Sequence, residues 1–242
     1  MSLVAKTTSN RDASSDGSTA DRILATALRL FNEHGVDRVA IYKVAADLNI
    51  SPGNLTYHFA KKYDLVVALV ERFEQEASLV LKTPRNAGAP ELARYIISIF
   101  RLMWRYHFLF QSPHVAASND RIANCYDRIR VSAQTWSMQR IEDAVACGDI
   151  PPVKSPNSSK ILAENMWAVW VNRLSLKRGQ SEGADSGQLA VYDCCIHHIS
   201  LIQPYASNRY INNLHELVKD LLDISLSDEP APLELPLQQP TA

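Results

Sequence analysis

With 242 residues, 46% of them hydrophobic and 21% charged, the chain has enough apolar material for one large core or two modest ones. A formal net charge of −1 excludes a protein that coats nucleic acid through overall positive charge, so any DNA contact must be local. No apolar run reaches the ~20 residues that span a bilayer, and the N-terminus has no signal-peptide core, so a soluble cytoplasmic protein is expected.

Residues 1–19 are almost entirely polar or small from Thr7 onward, and a disordered arm is expected there. A first helix is predicted after Thr19, with Thr19 as its cap, Asp21 at the positive end of the helix dipole, and Ile23, Ala27, Leu30 and Phe31 on one stripe. Gly35 closes it. From Ile41, the spacing of Val44, Ala45 and Leu48 marks a short second helix, which ends at Asn49, a residue that tolerates left-handed backbone. Ser51 as N-cap and Pro52 at the first helical position open a third helix, from which Leu55 and Phe59 turn inward. Pro52, Asn54, Thr56, Tyr57 and His58 are left facing wholly or partly outward, followed by Lys61 and Lys62. Two short helices joined by a tight turn, the second supplied with such groups, form the layout of a helix-turn-helix whose second helix enters the major groove of DNA. Between Arg38 and Lys62 the basic side chains are Arg38, Lys43, Lys61 and Lys62, against Asp47 alone.

A fourth helix is predicted from near Asp64, with Val66, Leu69, Val70, Phe73, Ala77 and Val80 on one side. It is long enough to leave the small N-terminal unit and join a second one. The spacing then predicts a helix over 91–107, with Leu92, Ile96, Ile99 and Met103 on one stripe and Phe100 and Trp104 on another, followed by a short aromatic connection broken at Pro113. A long helix over 120–147 carries Ile122, Tyr126, Ile129, Ala133 and Trp136 and ends at Gly148. After a proline-rich loop, Ser158 or Ser159 caps a helix with Met166, Trp167 and Trp170. A mobile surface loop is expected over 177–187. Two last helices, over 188–202 and 207–226, are separated by Pro204, and the tail from Ser227 is expected to be disordered. The fold class is all-α.

Cys125, Cys147, Cys194 and Cys195 contain no CxxC pair and no finger-like spacing with histidine, which argues against a disulfide framework and against a zinc site. His197 and His198, adjacent on a helix, diverge by about 100° and do not share a metal. There is no nucleophile elbow, paired-carboxylate signature or phosphate loop. Neither an enzyme, a metal site nor a cofactor is expected.

The register of Leu30, Phe31, Gly35, Val44, Ala45, Ile50, Ser51, Gly53, Leu55, His58, Phe59 and Lys62 resembles the N-terminal domain of the TetR family of bacterial transcriptional regulators. Three positions depart from the family pattern. Ala40 stands where a threonine usually caps the second helix, Asn49 replaces the turn glycine, and Thr56 replaces a tyrosine, with an aromatic at Tyr57 instead.

The resemblance implies a helix-turn-helix DNA-binding domain over 20–65 and a larger helical effector-binding and dimerisation domain over 66–226. With the register so set, Lys62, Lys61, His58 and Tyr57 carry donors suited to phosphates, while Asn54 suits adenine and Thr56 a thymine or phosphate. Pro52 lies on the same face, and Tyr42 and Lys43 reach the flanking backbone or a guanine.

By layout alone, the family's C-terminal helices imply a ligand pocket walled by Phe100, Trp104, Phe108, Phe110, Tyr126, Trp136 and Trp167, with Arg101, His107 and Asn165 as polar anchors. Ordinary core packing competes with that role for each aromatic. A homodimer seam is implied at Trp170, Leu174, Ile196, Ile199, Leu217 and Leu221. The implied partners are a palindromic double-stranded DNA operator, a small-molecule effector and a second copy of the chain, and no membrane. The function implied is a repressor released by its ligand. The alternatives are an effector-independent architectural DNA-binding protein and a helical enzyme or small-molecule carrier.

Overall fold

A computed structural model describes residues 18–82, 89–111, 115, 119–176 and 186–224. The expected disordered arm, apart from its last two residues, falls outside the described residues, as do the disordered tail, residues 177–185 of the mobile loop, and Pro113. Among the described residues every regular element is helical.

The N-terminal unit is α1 (Thr19–His34), α2 (Ile41–Asp47) and α3 (Pro52–His58). The cap of α1 is Ser18, one residue earlier than expected: its Oγ accepts from the Asp21 backbone N at 3.2 Å and its hydroxyl donates to the Asp21 carboxylate at 2.8 Å. Ile23, Ala27, Leu30 and Phe31 are buried, as the stripe requires. Ala40 opens α2 without a side-chain capping bond, and Val44 and Ala45 are buried beneath it. Asn49 takes the left-handed conformation at φ 54°, which lets the chain turn sharply into α3. There Ser51 Oγ accepts from Asn54 N at 3.1 Å, and Leu55 is the residue α3 buries.

Helix α4 (Lys62–Val80) begins two residues before Asp64, whose carboxylate accepts from the Lys61 backbone N at 2.8 Å. Leu65, Val66, Val67, Leu69, Val70, Phe73 and Ala77 are all buried, more than one stripe can supply, because α4 is packed against α1, α5 and α7 at once.

Helix α5 (Ala89–Arg105) ends two residues short of expectation, and the aromatic connection is itself a short helix, α6 (Phe108–Gln111). The break at Tyr106 and His107 lets Phe108 meet Phe31 of α1, with ring centroids 5.6 Å apart, and lets Phe110 and Tyr106 meet Phe73 of α4, at 5.8 and 5.4 Å. Helix α7 (Asp120–Ala146) is capped by Asn119 and, at 27 residues, is the longest helix among the described residues. Next come α8 (Ser159–Leu176), started by Ser158 Oγ accepting from Ile161 N at 3.2 Å, and α9 (Ser186–Ile202). A 3-10 turn over Gln203–Tyr205 holds Pro204, and α10 (Asn208–Leu222) stops four residues short of the sequence reading, where Asp223 adopts a left-handed φ of 54°. Helices α9 and α10 lie on α5, and α8 lies on α7. The Arg173 guanidinium ties α8 to the Asp193 carboxylate of α9 at 2.7–3.1 Å, and Tyr192 meets His215 of α10 at 2.9 Å.

Candidate nucleic-acid interface and the helices behind it

Leu55 facing inward leaves Pro52, Gly53, Asn54, Thr56, Tyr57 and His58 exposed on α3. Tyr57 is 85% exposed and Tyr42, on α2, is 69% exposed, an uncommon position for aromatic rings on a soluble surface. The Tyr57 ring meets His58 edge-on at 5.1 Å. The Thr56 hydroxyl donates to the Gly53 carbonyl at 3.2 Å.

The cations around α3 are less free than the sequence reading had them. Lys62 is half-buried: its Nζ donates to the carbonyls of Val36 at 2.9 Å and Asp37 at 3.4 Å. The expected free phosphate donor is therefore a tie between the start of α4 and the loop before α2. Lys43 pairs with Asp47 one turn on, at 3.8 Å, and the same carboxylate also holds Arg29 of α1. Lys61 stays exposed.

Behind this face, α4 is gripped on three sides. The Arg72 guanidinium pairs with Asp21 of α1. Glu76 accepts from Arg105 Nη1 at 2.8 Å and from the Tyr106 hydroxyl at 2.7 Å, both at the α5–α6 break. Glu71 meets Arg121 of α7 at 2.5 Å, and Glu74 takes Arg128 at 2.6 and 2.8 Å. The Arg128 bonds hold the Glu74 carboxyl below its ordinary range. Asn32 of α1 adds a further link: its amide donates to the Arg105 carbonyl at 2.7 Å and accepts from Phe108 N at 3.0 Å.

The ten residues expected to line one pocket divide into separate groups. Phe110, Tyr126 and Trp167 pack together with centroids 5.9–6.4 Å apart. Phe100 sits instead with Trp170 and His198, at 5.3 and 6.3 Å. Trp136 stacks on Tyr95 at 3.6 Å under the Arg140 guanidinium, and Trp104 stacks on His107 at 4.6 Å. A side chain at Gly187 would strike the Trp104 indole, since a Cβ there would lie 2.9 Å from Nε1. Phe108 faces the N-terminal unit through Phe31. Arg101 and Asn165, expected as polar anchors, are exposed: Arg101 lies between the buried Phe100 and Leu102, and Asn165 shares an outer face of its helix with Glu164.

Of the residues expected at a dimer seam, Trp170, Leu174 and Ile199 are buried in the chain's own core, with exposures of 5% or less. Ile196 and Leu217 are half-buried and Leu221 is 38% exposed. The shallow groove between α7 and α8, about 260 Å³ and lined in part by Val131, Met138 and Ala163, was not foreseen.

Sequence reasoning also passed over Asn32 and Glu76, and weighed His198 only as a metal ligand. His198 is buried, and its Nδ1 and the Trp170 Nε1 have no hydrogen-bond partner among the described residues. Burial pushes its imidazole down to about 4, and burial likewise lowers His107, so both rings are neutral near pH 7. The signal for Asn32 was available in part, as a polar residue directly after the buried pair Leu30 and Phe31. Among the described residues no cluster of three or more His, Cys, Asp or Glu is placed to hold a metal, and no helix is long and apolar enough to cross a membrane.

Two family models match the chain. One, described as "Bacterial regulatory proteins, tetR family", covers residues 23–69, and the other, described as "Bacterial transcriptional repressor", covers residues 72–214. No curated protein sequence matches. Among solved structures, a TetR-family transcriptional regulator from Marinobacter aquaeolei VT8 is similar at 24% identity and a TM-score of 0.71, covering 88% of this chain and all of that one. A gamma-butyrolactone receptor, described as an ArpA-like protein, is similar at 18% identity and a TM-score of 0.60, over 85% of this chain and 96% of that one. A SmeT–triclosan complex is similar at 20% identity and a TM-score of 0.55, over 80% and 94%.

Proposed function

We propose that this chain, which belongs to the TetR family of bacterial transcriptional regulators, is a repressor that leaves a palindromic operator when a small molecule binds its C-terminal helices. In this reading residues 20–65 bind DNA, residues 66–226 take the effector and form a homodimer, and the protein works in the cytoplasm.

One observation carries the reading: α4 follows directly from α3 and is held at the same time by α1, by the α5–α6 break and by α7. A helix so held does not move alone. A ligand that shifts α5 or α7 would drag α4, and with it the recognition helix, changing DNA affinity by the difference in its own affinity for the two arrangements. Two of the similar proteins are described as a receptor and as a complex with a small molecule, which favours an effector here as well. We place that effector among α5, α7, α8 and α9. Phe100, Trp170 and His198 lie there with two unpartnered polar atoms, which a ligand with hydrogen-bonding groups would satisfy.

Dimerisation has its own rationale. One α3 with few free cations holds DNA weakly, whereas two copies about one helical turn apart read a palindrome with the product of their affinities. The proposed seam draws on the exposed parts of α9 and α10, at Ile196, Leu217 and Leu221.

The test is a thermal-shift screen of small molecules, followed by titration of each stabilising compound into a protein–operator complex. Release of the DNA at saturating compound supports the proposal. A compound that binds the C-terminal helices and leaves DNA affinity unchanged would overturn the switch.

A further inference from the structure

The recognition helix α3, Pro-Gly-Asn-Leu-Thr-Tyr-His, contains neither arginine nor lysine. Guanine is most often read in the major groove by a cationic side chain that donates to O6 and N7, so the source of such a donor decides what this surface can read. Of the four basic side chains between Arg38 and Lys62 none lies on α3, and Arg38 stands in the loop before α2. Lys43 is paired with Asp47, Lys62 is held by the Val36 and Asp37 carbonyls, and Lys61 lies beyond the C-terminal end of α3, whereas base edges are met mainly by the N-terminal part of a recognition helix.

The exposed face around Asn54 offers a different chemistry. The Asn54 side-chain amide is exposed and makes no hydrogen bond among the described residues, and an amide pairs bidentately with the N6 and N7 of adenine. The Thr56 hydroxyl gives its proton to the Gly53 carbonyl at 3.2 Å, so what Thr56 has left to offer a base is its methyl group and an acceptor lone pair. Pro52 adds a second exposed apolar group. Gly53 presents bare backbone between them, and a Cβ there would meet nothing nearer than the Ser51 hydroxyl at 4.0 Å.

We infer that the face of α3 is built to read adenine–thymine pairs, with an adenine held by Asn54 and thymine methyls resting on Thr56 and Pro52, and that α3 makes no cation–guanine contact. The inference rests on the operator-binding reading above and specifies the partner of that surface.

The test uses the full chain and the DNA it recovers from a random duplex library. The recovered half-sites should carry A·T pairs at the positions protected by α3. Replacing the central adenine with 7-deaza-adenine, which lacks N7, should weaken wild-type binding by roughly tenfold or more, from the usual discrimination of a bidentate pair. Asn54→Ala, at an exposed position, should bind more weakly and be indifferent to that replacement. Uracil in place of thymine should weaken the wild type, and should weaken Thr56→Ser by less, since only the Pro52 contact with a thymine methyl is left to lose. Gly53→Ala should fold as the wild type does and bind less tightly, because the added methyl holds the backbone off the bases. Recovered half-sites with guanine under α3, or an Asn54→Ala variant that keeps the full response to 7-deaza-adenine, would overturn the inference and leave the regulator reading intact. Recovery of no common sequence would overturn the regulator reading, and this inference with it.

Discussion

Asn32 and Phe108, 76 positions apart in sequence, meet through a hydrogen bond of 3.0 Å from the Phe108 backbone N to the Asn32 side-chain oxygen. The other end of the same amide donates to the Arg105 carbonyl at 2.7 Å, so one side chain of α1 satisfies both strands of the break between α5 and α6. The break has free backbone groups because α5 stops there, and Asn32 supplies what a continued helix would have supplied.

Replacing Asn32 with alanine therefore leaves a backbone donor and an acceptor without partners at a partly buried site. The expected loss of stability is about 1–3 kcal/mol, in line with the penalty for unsatisfied groups. Urea unfolding monitored by circular dichroism measures it. An Asn32→Ala protein as stable as the wild type would show that the link carries no weight.

The two lysines at the end of the helix-turn-helix should behave differently. Lys61 is exposed, and if it meets a phosphate, Lys61→Ala should lower the slope of log affinity against log salt by about 0.9 per copy. Lys62 bonds to two carbonyls of its own chain, so Lys62→Met should reduce thermal stability and leave the salt slope nearly unchanged. Measuring both slopes by fluorescence anisotropy separates the roles, and equal slope changes would contradict them.

His198 gives the stability a dependence on pH. Its imidazole is pushed from 6.5 down to about 4 by burial, so the folded state disfavours the proton that the unfolded chain accepts readily. Its neutral-state contribution is complete above pH 6.5, declines as pH falls from there towards 4, and has no further slope below that. A loss on the order of 3 kcal/mol across that window follows from the usual conversion of pKa shift to free energy. His107, shifted in the same direction, adds to it. Chemical denaturation at a series of pH values should show the decline in the wild type and a shallower one in His198→Phe.

Much of the N-terminal unit was readable from sequence because local chemistry decides it. Ser51 caps, Pro52 starts a helix, Asn49 turns and Leu55 buries, each through groups within a few residues of one another. The face of α3 followed from that register. What the sequence could not show was where the long side chains end: the lysine at position 62 looks like any surface cation until the chain before α2 is folded against it. The C-terminal helices were found for the same reason as the N-terminal ones, from their period. Which of their aromatics pack together was not legible, because periodicity gives a residue's face on its own helix and says nothing of which helix lies opposite. Phe100 and Phe110, ten residues apart on either side of the α5 break, consequently belong to different clusters. The short helix α6 was missed since Phe108 to Gln111 is too brief to show a period.

The measurement that bears most directly on the central claim is the affinity of the full chain for a duplex selected from a random library, compared with a scrambled duplex of the same length at matched salt. For a paired reader built on α3, the expected result is a selected sequence with two inverted half-sites about one helical turn apart. Two copies of the chain should bind per duplex, at least a thousandfold more tightly than to the scramble, the low end of specific recognition. Asn54→Ala should erode that ratio, whereas Tyr57→Ala, which removes a phosphate-facing donor, should weaken binding to both duplexes alike. Equal affinity for the two duplexes, varying only with salt, would contradict it.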